Sequence, residues 1–401
     1  MTGSDATIAR ALDACRRAGG GRIVVPAGIF LIGPIHLASK MELQVARGAT
    51  VRFHTDPLRY LLVVPTRFEG VEWYNYSPLL YAIDASDVVV TGEGTLDGQA
   101  DATHWWPWKR GKDVVMDGGT PAGARERLLS MAECGVPVPQ RLFGSGHYLR
   151  PSFVQMYRCS NVLISGVTIV RSPMWEIHRV LSHNVIVRNV TISTHGLNND
   201  GCDPESCRAV LIEGCTFDTG DDCIAIKSGR NADGRRVNVP KENVIVRDWQ
   251  MKDGHGGVTI GSESSGGVRN VFVERCQMDS PQRDRALRIK TNAMCGGTIG
   301  HVYMRNVTLG RVVDAVLSID FTYEEGSAGA FMPMVQDIEL ENVTSTRTTY
   351  GLYLRGFSTA PIRNIRLINC RFNGVAKPDV LEHADGVSRR DVLVNGVKAP
   401  L

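Results

Sequence analysis

A nine-residue pattern, polar-V-x-[ILV]-x-[GN]-[VC]-x-[ILFM], recurs along this chain and limits what it can fold into more than any other feature. Copies begin at Asn161 (NVLISGVTI), Asn184 (NVIVRNVTI), Ala209, Asn243, Asn270, His301, Asp337, Asn364 and Asp391, with a looser one at Asp87 (DVVVTGEGTL), ten in all. Within each copy apolar residues alternate, then change parity at the Gly or Asn, as two short strands joined by a sharp bend require. Successive copies from Asn161 onward lie 23 to 36 residues apart. That spacing is too irregular for a helical array but natural for a solenoid whose coils carry loops of different length. The pattern predicts an all-β fold, a right-handed parallel β-helix, running through residues 1–401 as a single domain.

A third strand per coil emerges from the segments between copies: DGCDP from Asp200, DCIAIK from Asp222, GVTIG from Gly257, ALRIK from Ala286 and GLYLR from Gly351. Alternation sends Ile224, Ile226, Val258, Ile260, Leu287, Ile289, Leu352 and Leu354 inward. Lys227, Arg288, Lys290, Tyr353 and Arg355 are then expected on the outer face. An open solenoid end exposes unpaired edges and needs a cover. Residues 1–22 supply a candidate cap: Ser4 or Asp5 as N-cap, Ile8, Ala11, Leu12 and Cys15 at helical spacing, and Gly19-Gly20-Gly21 as the stop. Residues 99–150 lack the repeat and form a long excursion containing Trp105, Trp106 and Trp108, which serve either as platforms for sugar rings or as buried packing.

Bulk properties narrow the function. A formal charge of +3 from 45 basic and 42 acidic residues gives no field suited to nucleic acid. Every apolar run is too short to cross a membrane as a helix. The N-terminus has no basic-then-apolar leader, which leaves a cytosolic chain or one whose signal was removed. The ten cysteines show no C-x-x-C spacing, so no metal or cofactor is expected. Cys215, Cys276 and Cys370 fall at apolar positions, where a free thiol packs as a small hydrophobe, although disulfides remain the competing reading.

Four polar clusters flank the third strand of successive coils: Asn198-Asn199-Asp200-Gly201, Gly220-Asp221-Asp222, Gly254-His255-Gly256 and Arg288-Ile289-Lys290. Coils stack at the inter-strand distance of about 4.8 Å, so these clusters become neighbours on one surface. Asp200, Asp221, Asp222 and His255 would share a cleft. Three carboxylates that close repel one another, and one should retain its proton, which suits a general acid paired with a general base. An inverting glycosidase needs its two carboxyl groups roughly 6.5 to 9.5 Å apart, a span that adjacent Asp221 and Asp222 alone cannot fix and that Asp200 supplies. Bare Asp-Asp in a loop more often caps a turn or binds calcium; the stacked context is what favours catalysis. Arg288 and Lys290, outward beside the carboxylates, suit an anionic substrate group.

At these residues the sequence strongly resembles glycoside hydrolase family 28, the polygalacturonases, and bacterial members most closely. That family's pattern is N-T-D, G-D-D, G-H-G and R-I-K in this order. The resemblance extends through GGGRIVVPAG, LDGQ, RPSFVQMYRC, TGDDCIAIKSG, GGVTIGSESSGGVRNV and RALRIKT. It implies hydrolysis of α-1,4-linked galacturonate with inversion, Asp221 as general acid, Asp200 with Asp222 activating water, and His255 tuning the acid. Asn198 would sit beside the cleavage subsites, and Arg288 and Lys290 would bind a galacturonate carboxylate. Two departures stand out. The middle of N-T-D is Asn199, and the family's tyrosine one coil after R-I-K aligns with Phe321, which leaves Tyr323 as the candidate for that contact.

The implied partner is a pectic polysaccharide or oligogalacturonide, with neither nucleic acid nor membrane, acted on by a monomer. The substrate favours a secreted or periplasmic location, with a cytosolic enzyme trimming imported oligomers as the other possibility. Exo action is expected if the 99–150 excursion walls off one end of the cleft. The alternatives are a rhamnogalacturonan or xylogalacturonan hydrolase of the same family, a calcium-dependent pectate lyase, and a non-catalytic binding β-helix.

Overall fold

In the computed structural model, which describes residues 3–110, 120–280 and 284–400, the chain forms a right-handed parallel β-helix. Each repeat builds two strands of a coil. Its first residue and its sixth both adopt positive φ in the nine copies from Asp87 to Asn364, for example Asn161 (55°) with Gly166 (82°) and Asn306 at position six (55°). Only Gly, and to a lesser degree Asn and Asp, take this conformation cheaply, which is why those types punctuate the repeat. The Asn side chains also stack: Asn184 Nδ2 donates to Asn161 Oδ1 at 2.7 Å, and Asn342 Nδ2 to Asn306 Oδ1 at 2.9 Å.

The copy expected at Asp391 is out of phase by half a unit. Ile365 pairs with Val387 and Arg371 with Leu393, so the last coil starts at Gly386 (φ 70°) and Asp391 (φ 55°) is its bend. The DVLVNGVKA segment is the second half of that coil followed by a terminal antiparallel hairpin, Leu393–Val394 with Val397–Lys398, turning at Asn395-Gly396. Two coils precede Asp87, in strands Gly21–Val25 with Gly28–Ile32 and Met41–Val45 with Ala49–Phe53. Their bends, Pro26-Ala27 and Ala46-Arg47-Gly48, are longer than the one-residue bend of the repeat and hide it.

The third strands form one parallel sheet of eleven strands. Ile224, Val258, Leu287, Leu317 and Leu352 align in one row, and Ile226, Ile260, Ile289, Ile319 and Leu354 in another. All ten are fully buried, each stabilising the fold by on the order of 2 kcal/mol through apolar surface removed from water. Cys215, Cys276 and Cys370 are buried and unbridged, in line with the packing reading.

Helix Gly3–Arg17 covers the first coil through Leu12, with Ile8, Ala11 and Cys15 packed against the core. Asp5 lies inside the helix rather than capping it: its carboxylate accepts from Gly33 N at 2.8 Å and faces His54 and Arg59, pinning the helix to the coils. Two insertions lean over the eleven-stranded sheet. The first is an antiparallel hairpin, Val64–Phe68 with Val71–Asn75, turning at Glu69 (φ 43°) and Gly70 (φ 82°). The second is the 99–150 excursion, of which 111–119, including Gly118-Gly119, lie outside the described residues. It contains helix Pro121–Glu133, started by Pro121 and by Thr120, whose Oγ1 accepts from Gly123 N at 3.0 Å. Trp105 and Trp108 are buried in an aromatic cluster with Tyr60, Tyr76 and Tyr148, and Trp106 Nε1 donates to Ser172 O. All three tryptophans pack the excursion onto the solenoid, and none of them lines the cleft.

Candidate active site

A cleft of about 330 Å³ opens on the outer face of the eleven-stranded sheet, lined by Asn198, Asp200, Asp221, His255, Arg288, Lys290 and Tyr323 among others. Asp222 lies directly beneath, fully buried. The four clusters therefore meet, as their coil positions require. Gly201 N donates to Asp222 O at 3.0 Å, and His255 N to Asp221 O at 3.0 Å. The flanking glycines allow this approach: a Cβ at Gly256 would stand 2.5 Å from Asp222 Oδ1, and one at Gly254 2.8 Å from Asp221 O.

The three carboxylates occupy different environments. Asp222 Oδ2 accepts from Lys290 Nζ at 2.9 Å, and Arg288 Nη1 lies 4.0 Å from Oδ1. Burial alone would raise the Asp222 pKa, but the charges of Lys290 and then Arg288 hold it well below the usual carboxylate range. Asp200 is pushed up to about 8, by burial first and then by the charge of Asp221; Lys227 Nζ, 3.7 Å away, only partly offsets this. Asp221, whose side chain is 20% exposed, faces the open cleft, with His255 Nδ1 3.3 Å from its Oδ1. The hydrogen bond to Asp221 raises the His255 imidazole to about 8. One carboxylate is thus locked in the charged form, a second retains a proton, and a third is coupled to an imidazole.

The two departures from the family pattern resolve structurally. Asn199 is fully buried and knits the loop: its Oδ1 accepts from Thr194 Oγ1 and Gly196 N, and its Nδ2 donates to Ser172 O and Met174 O. Phe321 is in the core against Phe357, while Tyr323 reaches the cleft with Arg288 and Lys290 5.5 and 5.3 Å from its ring centre.

Lys290 differs from its expected freedom. Its side chain is only 10% exposed and one of its three N–H groups is committed to Asp222, so Arg288 is the more open cation. Lys227 departs further. It points away from the core as alternation requires, yet Trp175 (4.5 Å from Nζ to the ring centre), Asp200, Asp203 and Glu263 bury it beneath the cleft. Burial opposes its charge, but Glu263, Asp200 and Asp203 together hold it well above the usual lysine range.

Sequence reading missed the contributions of the insertions: Glu69 at the hairpin tip, and Lys109 and Arg125 from the excursion, which bound the cleft with Arg230 and Glu324. Arg125 Nε donates to Glu69 Oε2 at 2.6 Å, and Arg230 Nη2 to Glu324 Oε2 at 2.7 Å. The alternating residues on both sides of Glu69-Gly70 were the available signal for the hairpin. Among the described residues one cluster has metal-ligand proximity, His195, Asp218 and Asp253. His195 Nε2 is already 2.8 Å from Asp218 Oδ1, and Asp253 Oδ1 accepts from Ser280 Oγ and Gly254 N.

Comparison with known proteins agrees with this geometry. A sequence model of glycosyl hydrolases family 28 matches residues 145–384, which include every one of these cleft clusters. The chain belongs to that family. A probable polygalacturonase of Vitis vinifera is 26% identical over 372 residues, 90% of this chain and 68% of the relative. An exo-poly-alpha-D-galacturonosidase of Dickeya chrysanthemi is 25% identical over 413 residues, 94% of this chain and 66% of the relative. This chain therefore spans about two thirds of the length of either. The crystal structure of a hyperthermoactive exopolygalacturonase from Thermotoga maritima superposes with a TM-score of 0.94 at 46% identity, covering 98% of this chain and 88% of that one. No helix of the described residues is long and apolar enough to cross a membrane.

Proposed function

We propose that this family 28 hydrolase cleaves the α-1,4-galacturonosyl linkage of pectic chains, removing units from one end with inversion at the anomeric carbon. The observation that supports it most is the division of labour among the carboxylates: Asp222 clamped in its charged form by Lys290, and Asp221 set against His255 at the open side. Asp221 is the carboxyl able to meet the glycosidic oxygen, and the proton shared by the Asp221–His255 pair passes through it to that oxygen as the bond to the anomeric carbon breaks. Water attacks the same carbon from the opposite face and gives its proton to the Asp222–Asp200 pair. Asn198, Arg288, Lys290 and Tyr323 line the space around the substrate, with the Arg288 fork taking a galacturonate carboxylate.

Exo action is supported by Glu69, Lys109 and Arg125, insertion residues that stand at the cleft margin, and by the likeness to the Thermotoga enzyme. A lyase would need carboxylates left free for a calcium ion, whereas Asp222 and Asp200 are matched with Lys290 and Lys227. The enzyme acts as a monomer outside the cytoplasm, where its polymer substrate is found.

Incubation with polygalacturonate in excess chelator, following reducing ends and ultraviolet absorbance together, tests the chemistry. Reducing ends without absorbance are expected; absorbance lost on chelation would establish elimination and overturn the hydrolase assignment. Early products should be the smallest uronides, and a ladder of mixed oligomers would refute exo action.

A further inference from the structure

Arg150 belongs to none of the four clusters. It ends the excursion and enters strand Val154–Tyr157, and it is 4% exposed. Its guanidinium reaches two loops at once: Nη1 donates to Pro173 O at 2.9 Å and to Leu197 O at 2.7 Å, and Nη2 to Asn198 Oδ1 at 2.9 Å. A guanidinium can only donate, so the oxygen of the Asn198 amide must face it and the NH₂ must face the other way. The other way is Asp221: Asn198 Nδ2 lies 3.5 Å from Asp221 Oδ2. The backbone at Asn198 is left-handed (φ 55°), so arginine holds both the Leu197 carbonyl that leads into this turn and the Asn198 side chain.

This arrangement makes the two Asp221 oxygens unlike. Oδ1 accepts from Asp222 N at 2.9 Å and faces His255 Nδ1 at 3.3 Å, while among the described residues Oδ2 has the long contact to Asn198 alone. We propose that Arg150 is a positioning residue that fixes the Asn198 amide and thereby selects Oδ2 of Asp221 as the oxygen that delivers the proton to the glycosidic bond. The inference rests on the hydrolase reading above. Without the guanidinium the amide turns over freely, and in half of its orientations an oxygen confronts the Asp221 carboxylate. Lysine would restore charge but not the three-way fork, because an ammonium is a point charge with no planar geometry.

The test is a double-mutant cycle of Arg150→Met and Asn198→Ala, with Arg150→Lys as the conservative variant. Each single change is expected to lower kcat by about 10- to 100-fold with KM altered far less, as for loss of a group acting in the transition state. The double variant should be no slower than the slower single, and Arg150→Lys should recover part of the loss. Effects that multiply would show that Arg150 acts independently of Asn198 and would overturn the proposal. If Arg150→Met does not fold, Arg150→Lys takes its place in the cycle.

A second readout needs no turnover. The His255 imidazole, which faces Asp221, Asp222 and Asp284, is raised to about 8 by the hydrogen bond to Asp221, and NMR should show Arg150→Met moving its titration midpoint by about half a pH unit or more from that of the parent. In the Asn198→Ala background the same change should leave it unmoved. A parent protein inactive on every pectic oligomer but showing this coupling would remove the hydrolase assignment and leave the positioning role standing. A folded Arg150→Met protein with an unmoved midpoint would remove the positioning role.

Discussion

Lys290→Met tests whether the Asp222 charge is held by its partner or by packing. The Asp222 side chain is fully buried and the Lys290 side chain only 10% exposed, with a 2.9 Å bond between them. Methionine preserves most of the apolar stem and deletes the ammonium. Removing one member of a buried pair costs about 3 to 5 kcal/mol, mainly because the surviving charge is left uncompensated. Arg288 remains 4.0 Å away, which places the expected loss near the lower end, about 3 kcal/mol at pH 7. The sign of the pH dependence follows from linkage. In the parent, Asp222 titrates below its unfolded value, so the pair stabilises at neutral pH and loses that contribution as pH falls through the folded pKa. In the variant, burial acts unopposed by Lys290 and raises the Asp222 pKa, a penalty present at pH 7 that fades as the group protonates. The stability gap between parent and variant should therefore narrow between pH 7 and pH 4 in urea denaturation. Adding Asp222→Asn to Lys290→Met should recover stability at pH 7 while leaving hydrolysis absent. A gap equal at both pH values, or a double variant no more stable than the single, would refute the electrostatic argument and leave only lost packing.

Three further outcomes follow from the same structure. The His255 imidazole is raised to about 8 by Asp221, so the coupled pair keeps its proton below that pH and loses it above. The kcat/KM profile of the parent should fall on the alkaline side near 8, and that of His255→Gln at lower pH. An alkaline limb unchanged in the variant would exclude the imidazole from the proton inventory. Ile289→Ala in the fully buried row should cost about 2 to 5 kcal/mol in urea melts without altering the pH profile. Asn306→Ala places a Cβ-bearing residue with no local hydrogen bond at φ 55° and removes the acceptor of Asn342 Nδ2; it should cost about 1 to 2 kcal/mol, and Asn306→Gly clearly less.

Coil-to-coil relations in this protein were readable because a solenoid turns sequence period into spatial adjacency. Asp200, Asp221, Asp222 and His255 could be brought together from their distance to a repeat alone, and the register confirms that adjacency in Cys202 opposite Ile224 and Ile224 opposite Val258. Reading failed where the local signal was imitated or stretched. Asn395-Gly396 reproduces the bend chemistry of a coil but turns a terminal hairpin, which shifted the last copy by five residues, and the longer bends at Pro26 and Arg47 concealed the first two coils. What no period reports is the charge state of the cluster. Lys227, which partly offsets the upward push on Asp200, and its partner Glu263 lie beneath the surface that alternation assigns to solvent, covered by side chains such as Trp175 and by loops whose length obeys no repeat. The cleft margin escapes the period in the same way. Glu69 and Arg125 meet across 2.6 Å although 56 positions separate them, and their meeting depends on a hairpin and a helix inserted into different coils. The residues proposed for bond cleavage thus lie in the periodic part of the chain, where spacing constrains them. The residues proposed to set where a polymer is cut lie in the insertions, whose lengths obey no repeat.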